Sequence, residues 1–363
     1  MAVNISQSNN KYNVLGLMSG TSMDGVDMAY CSFTLRKNKW TYQILEAKTF
    51  KYSSTWKNKL ERAFKMQSKD LMQLDSEYGY FLGALCNRFI RSKNIGGIDL
   101  ISSHGHTVFH QPSKGYTLQI GNGNTIAATT GIPVVYNFRQ MDVALKGQGA
   151  PLVPMGDHHL FNNFSVCLNL GGIANLSFEK NKQRKAFDVC FVNMGLNEII
   201  KEKNLSYDKD GKLASKGTVD NNLLKKISNM YEDFRTDRPS LSRELFESNF
   251  LKLITNRALK IEDRLRTFQE SVVIEIERSL IANKQKGKIL VTGGGALNKE
   301  LIRILQNRLG PKLKIVIPEK QIVEFKEAII FGFLGVLRVR NENNVYCSVT
   351  GASRDSSSGV LVQ

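Results

Sequence analysis

Apolar residues near the start of the chain fall into two short runs. Tyr12, Val14 and Leu15 precede a stretch rich in glycine and hydroxyls, and Met28, Ala29, Tyr30, Cys31 and Phe33 follow it. Short β-branched or aromatic runs bounded by polar clusters predict strand, turn, strand. Residues 41–52 offer a third strand, so the chain opens as a β-meander. The period then changes. Leu60, Phe64, Leu71, Leu74, Tyr78, Phe81, Leu82, Leu85 and Phe89 recur at helical spacing across 56–93, and Gly96-Gly97 closes the stretch. Strands are predicted at 98–103, 116–120 and 132–138, with a glycine turn (Gly121-Asn122-Gly123) and a short helix between the last two.

The second half follows the same plan. Residues 165–170 read as a strand, Gly171-Gly172 as a turn, and 173–178 and 186–189 as returning strands before a helix at 193–203. A meander with a glycine turn, followed by helices, thus occurs twice, as a duplicated α/β domain would show it. The halves are too different in sequence to count as a repeat. Helices fill 221–283, the last opening on the capping-box spacing Thr267-Phe268-Gln269-Glu270. A strand at 288–292 enters Gly293-Gly294-Gly295, and a helix at 298–309 stops at Gly310-Pro311. After a strand at 313–317, the apolar helix 324–340 carries Ala328, Gly332 and Gly335, which let another backbone or a ligand come close.

Composition narrows the class. A chain of 363 residues with 42% hydrophobic content suits two globular domains. The net charge of +17 is spread over predicted helices and turns without a nucleic-acid-reading motif, so no nucleic acid partner is expected. A positive field of this kind favours anionic substrates such as ATP. The longest apolar run, 328–337, is too short to cross a bilayer, so no membrane partner is expected either. Five scattered cysteines without a C-x-x-C pair, and a polar start lacking an apolar leader core, point to a cytoplasmic protein.

The candidate chemistry begins in the first turn. Gly20, Thr21, Ser22, Met23, Asp24, Gly25, Val26 and Asp27 make a loop whose backbone N–H groups can converge on an anion, with Asp24 a hard oxygen ligand for Mg²⁺. It lacks the Gly-Lys-Ser/Thr ending of a P-loop, and a strand follows it. It is similar to the phosphate-binding hairpin of the sugar kinase, actin and Hsp70 superfamily. Gly171 and Gly172 form a second such hairpin, and Gly293, Gly294 and Gly295 a strand-to-helix turn that suits a phosphate or purine. Asp188, ending the third strand of the second meander, can serve as a general base or as a turn residue. His104 and His106, two apart at a strand end and so expected on one face, with His158-His159 later, leave a histidine-based metallohydrolase as an alternative.

From end to end the chain resembles the anhydro-N-acetylmuramic acid kinase family. The match runs through Gly16-x-Met18-Ser19-Gly20-Thr21-Ser22-x-Asp24-Gly25-Val26-Asp27, His104-Gly105-x-Thr107-Val108-x-His110-x-Pro112 and Thr117-Leu118-Gln119-Ile120-Gly121. It continues in Phe138-Arg139-x-x-Asp142, Gly147-Gln148-Gly149-Ala150-Pro151-Leu152-Val153-Pro154, Leu168-Asn169-Leu170-Gly171-Gly172-Ile173-Ala174-Asn175-Leu176-Ser177, Gly293-Gly294-Gly295-x-x-Asn298 and Val349-Thr350-Gly351-Ala352.

The resemblance implies two duplicated RNase H-like (actin/hexokinase-type) domains with a nucleotide cleft between them. They would span 1–138 and 139–340, with the tail 341–363 packing back on the first. It implies ATP and Mg²⁺, a small-molecule sugar substrate and a homodimer. Asn175 and Asn298 would join the ATP-binding residues. Asp188 would be the catalytic base, with Thr107 and Arg139 beside it on the sugar. The reaction would open 1,6-anhydro-N-acetylmuramic acid with water while O6 takes the γ-phosphate. A non-catalytic actin- or Hsp70-like ATP switch is the other class compatible with this fold.

Several positions depart from the family's pattern. Val189-Cys190-Phe191 replaces Thr-Gly-Pro, which puts substrate fit around Phe191 in question. His106 replaces glutamine, Asn137 aspartate and Lys146 glycine, and Ser240-Leu241-Ser242-Arg243-Glu244 is a changed Ser-Thr-Gly-Arg-Glu.

Overall fold

A computed structural model describes residues 9–20, 23–237 and 240–363. The chain divides into two compact units. One runs up to Leu160 and resumes at Phe325; the other is Phe161–Glu324.

In the first unit β1 (Lys11–Met18), β2 (Gly25–Arg36) and β3 (Lys39–Lys51) form the antiparallel meander. Lys37 and Asn38 join β2 to β3 with φ of 48° and 60°, a pair of left-handed residues whose turn matches the twist of the strands. Helix α1 (Ser54–Arg62) leads to α2 (Ser68–Ser92), which buries Leu74, Tyr78, Leu82, Leu85 and Phe89 at the helical spacing. Strand β4 (Leu100–Ser103) runs parallel to β1. Strands β5 (His106–Gln111) and β6 (Tyr116–Ile120) form a separate hairpin. Helix α3 (Gly123–Thr130) and β7 (Val134–Tyr136), parallel to β4, come next, followed by α4 (Gln140–Ala144) and α5 (Val153–Leu160).

The second unit repeats the scheme. Its meander is β8 (Val166–Leu170), β9 (Ile173–Lys180) and β10 (Gln183–Phe191). Among the described residues the α-helices that follow are α6 (Asn193–Ile200), α7 (Asn221–Met230), α8 (Glu232–Asp237), α9 (Arg243–Asn249), α10 (Leu251–Ile254) and α11 (Ile261–Ala282). Then β11 (Gly287–Thr292) pairs parallel with β8, and after α12 (Lys299–Leu309) β12 (Leu313–Val316) pairs parallel with β11. Helix α13 (Lys320–Val339) returns the chain to the first unit, where β13 (Val360–Val362) pairs antiparallel with β7.

The sheets are ordered β13-β7-β4-β1-β2-β3 and β10-β9-β8-β11-β12. Reading each from the far edge of its meander gives third, second and first strand, then two parallel strands. That shared order is the duplicated RNase H-like topology. Helix α13 covers the first sheet because small residues let the backbones meet: a Cβ on Gly16 would lie 2.0 Å from the Ala328 carbonyl oxygen, and one on Gly335 2.5 Å from Ser102 Oγ.

Two details differ from the sequence reading. The joins between units fall at 160/161 and 324/325, not at 138/139 and 340/341. Helices α4 and α5 stay with the first unit because Thr350 Oγ1 donates to Asp142 (2.7 Å) and Lys326 pairs with Asp157 (2.7 Å), both deep in the interior. The Thr267–Glu270 spacing is no cap, since α11 starts at Ile261. Thr267 Oγ1 instead donates to the Asp263 carbonyl and accepts from Asp220 N, which ties α11 to the start of α7.

Candidate functional site

In the first unit the β1–β2 hairpin carries the glycine loop. Of its expected phosphate contacts, Gly20, Met23 and Asp24 reach the surface, and Asp24 is exposed. Thr21 and Ser22 lie outside the described residues. Met23 N donates to the Gly20 carbonyl (3.3 Å), and Met23 takes a left-handed φ of 54°. Gly25 is required by packing, since a Cβ there would sit 2.3 Å from the Phe50 carbonyl oxygen. The Val26 side chain is in the core, and Asp27 accepts from Thr49 Oγ1 (2.6 Å). Gly25, Val26 and Asp27 therefore anchor the loop.

Arg139, at the start of α4, is the centre of a second cluster. Its Nε donates to His104 Nε2 (3.0 Å) and its Nη1 to the Gly149 carbonyl (2.6 Å); Nη2 has no acceptor among the described residues. His104 Nδ1 contacts the Gly105 carbonyl (2.9 Å), so that nitrogen carries the proton and the ring is neutral. Burial, then the neighbouring Arg139 charge, holds His104 well below its usual range. Burial also pushes Arg139 down to about 10, with Glu327 and Asp142 opposing, so it stays cationic at neutral pH. Thr107 is half-buried on β5, where its hydroxyl accepts from Gln119 Nε2 (3.4 Å).

His104 and His106 do not share a strand face. Strand β4 ends at Ser103, Gly105 turns the chain at φ 74°, and His106 opens β5 with Nδ1 against Ser19 Oγ (3.1 Å). Among the described residues no group of three His, Cys, Asp or Glu is placed to hold a metal.

In the second unit the turn hydrogen bonds of Gly171 and Gly172 use their carbonyls, which accept from the N–H groups of Val192, Asn193 and Met194. A Cβ on Gly172 would meet nothing closer than 3.7 Å, so there is room over this turn. Gly293 lies at φ 80° with its missing Cβ 2.6 Å from Asn169 Oδ1, and a Cβ on Gly295 would press on Leu170 at 2.7 Å; on Gly294 the nearest atom is at 3.5 Å. Asn298 Oδ1 caps α12 by accepting from Leu301 N (3.1 Å).

Asp188 sits where β10 slips register against β9. A bulge of this kind re-aims a side chain out of the ladder. One carboxylate oxygen accepts from Asn175 Nδ2 and the other from Leu241 N (2.8 Å). Burial raises the carboxyl above its ordinary range, while the Leu241, Asn175 and Ser240 donors pull it back. Such a group is anionic when needed and basic enough to take a proton. Phe191 does not crowd it: the ring is fully buried against Phe250 and Phe246 (centroids 5.0 and 5.2 Å), and its N–H donates to Tyr231 Oη (2.9 Å).

Sequence reasoning missed Leu241 as a donor to Asp188, because a backbone N–H leaves no mark in residue type. It also missed Glu327, half-buried on α13 near Arg139 and Lys326, whose carboxyl burial raises. In sequence Glu327 reads as one more charge at the polar end of an apolar helix.

Two sheets of one topology, each with a glycine turn in its first hairpin, make this an α/β protein of the actin and hexokinase class. The family model for anhydro-N-acetylmuramic acid kinase matches residues 12–363. The anhydro-N-acetylmuramic acid kinase of Aliivibrio fischeri is 35% identical, covering 96% of this chain and 98% of its own. That of Sulfurimonas denitrificans is 30% identical over 96% and 99%. Among solved structures, an activator of the 2-hydroxyisocaproyl-CoA dehydratase from Clostridium difficile aligns over 89% of this chain and 95% of its own, at 12% identity and a TM-score of 0.44. The chain belongs to the anhydro-N-acetylmuramic acid kinase family and is an ATP-using kinase.

Proposed function

We propose that the chain opens 1,6-anhydro-N-acetylmuramic acid with water and phosphorylates it at O6, giving N-acetylmuramic acid 6-phosphate and ADP in cell-wall recycling. The observation that carries this is Asp188: a carboxylate raised by burial, aimed by a bulge and held at both oxygens. The bridging O6 of the substrate has no proton to lose, so a base has work only on water. Asp188 takes the proton as the water oxygen bonds to C1. The C1–O6 bond breaks, O6 bonds to the γ-phosphorus, and ADP leaves.

Arg139, with Nη2 unused, suits the lactyl carboxylate, and Thr107 a sugar hydroxyl. The turns at Gly20–Asp27, Gly171-Gly172 and Gly293–Gly295 suit the nucleotide, with Asn298 shaping the last. Asp24, exposed at the hairpin tip, fits Mg²⁺, which needs one or two carboxylates beside the phosphates and would offset their charge. The proposal includes a homodimer in the cytoplasm.

Turnover in ¹⁸O-labelled water, quenched before anomeric exchange, tests the reaction. Label is expected at C1 and none in the phosphate ester. Label in the phosphoryl group would mean that water attacks phosphorus, and the ring-opening reading would fall. Asp188→Asn is expected to keep ATP binding and lower turnover by about 10²-fold or more in a steady-state assay.

A further inference from the structure

Ser19, the last residue of the first unit before the glycine turn at Gly20, is 3% exposed. Its hydroxyl lies 2.7 Å from Tyr52 Oη and 3.1 Å from His106 Nδ1, and Tyr52 Oη lies 2.5 Å from Tyr78 Oη. These groups come from four places: the end of β1, the exit of β3, the middle of α2 and the start of β5. We propose that Tyr78, Tyr52 and His106 are positioning residues, a run of hydrogen bonds that fixes Ser19 and so sets the backbone at Gly20, where the glycine hairpin begins, for nucleotide. This rests on the reading of that hairpin as the phosphate site.

The hydrogen-bond direction follows from the donor inventory. Tyr78 is fully buried and its hydroxyl must donate, so it donates to Tyr52. Tyr52 then donates to Ser19, and Ser19 donates to His106 Nδ1. The run ends on an imidazole acceptor, which a neutral ring supplies. Burial pushes His106 down to about 4, so the ring is neutral at physiological pH. Ser19 is thereby engaged on both sides and cannot itself bind phosphate. Its effect passes through the backbone of the loop that it begins. Trp56 and Phe81 pack on the tyrosine rings and hold the run in place.

By the same logic a glutamine at position 106 would serve as well as the histidine. An amide oxygen and an imidazole nitrogen both offer an acceptor to Ser19; an alkyl side chain offers none.

The test measures Mg-ATP affinity by calorimetry together with KM and kcat. Tyr52→Phe and His106→Leu are expected to raise Kd and KM for ATP about fivefold or more, the cost of one lost buried hydrogen bond. The kcat at saturating ATP should stay within about twofold, and His106→Gln should restore wild-type KM. Tyr78→Phe serves if Tyr52→Phe does not fold. Lowered melting temperature with unchanged Kd and KM would make the run a packing feature only and overturn the proposal, as would His106→Gln behaving like His106→Leu. Gly20→Val separates the two levels. If it abolishes ATP binding while the tyrosine variants are neutral, only the positioning role fails; if it too leaves affinity unchanged, the phosphate reading of the hairpin falls with it.

Discussion

Lys146 follows α4 and its cap residue Leu145 with φ of 68°, and its N–H donates back to the Val143 carbonyl, the left-handed exit for which helices choose glycine. A lysine there bears a steric cost that glycine avoids, partly offset by the freedom glycine adds to the unfolded chain. Lys146→Gly is therefore expected to stabilise the protein by about 0.5–1 kcal/mol in denaturant titrations. Asn175 makes a second point at this scale. The family resemblance sets it among the ATP-binding residues, and its amide donates to Asp188. That donor favours the ionised carboxylate, so Asn175→Ala is expected to raise the Asp188 carboxyl further above its ordinary range. The acid limb of the kcat–pH profile should then move to higher pH, with activity lost sooner as pH falls. An unmoved limb would assign that titration to another group.

At the scale of elements, β1 and α13 meet backbone to backbone. A Cβ on Gly16 would lie 2.0 Å from the Ala328 oxygen and 2.9 Å from Gly332 N, and neither can give way. Gly16→Ala is expected to cost about 2–4 kcal/mol, whereas Gly332→Ala, whose nearest contact is a Phe33 ring atom at 3.4 Å, should cost far less. Chemical unfolding of the two variants compares them directly. The small residues of this contact were legible in the sequence, as were the two meanders and their glycine turns, because period and residue type carry that information locally. The features that failed depend on the third dimension. The Thr267 spacing mimics a cap, but its hydroxyl serves Asp220, 47 residues away. His104 and His106 look like one strand face until the positive φ of Gly105 separates them. The bulge that aims Asp188 is equally silent, being a property of two strands together.

For the molecule as a whole, the imidazoles are unevenly placed: all five histidines lie in the first unit. Burial holds His104 well below its ordinary value near 6.5, takes His106 and His159 to about 4, and lowers His110. Below pH 6.5 the unfolded chain binds protons at these positions and the folded one does not. Their contribution is thus whole above pH 6.5 and is lost as pH falls toward 4. In the second unit the raised Asp188 has the opposite sign, since the folded state holds its proton more readily. Hydrogen exchange at pH 7 and pH 5, corrected for intrinsic rates, is expected to show protection falling in β1, β4 and α2 more than in β8 and β11. Equal loss in both sets would remove the histidines as the cause. The unit boundaries were less legible than the sheets, because the pairs that keep α4 and α5 in the first unit reach to Lys326 and Thr350. That discontinuity has a consequence for synthesis. Residues 161–324, 164 in number, are translated between strands β1 to β7 of the first unit and the helix that covers their sheet. At synthesis rates of about 5–20 residues per second this takes roughly ten to thirty seconds. For that time the apolar face around Gly16 is bare on the ribosome, while the later unit holds all of its own strands and can close first. The unit translated later can thus be completed first, and the nascent first unit is where a holding chaperone would find its purchase.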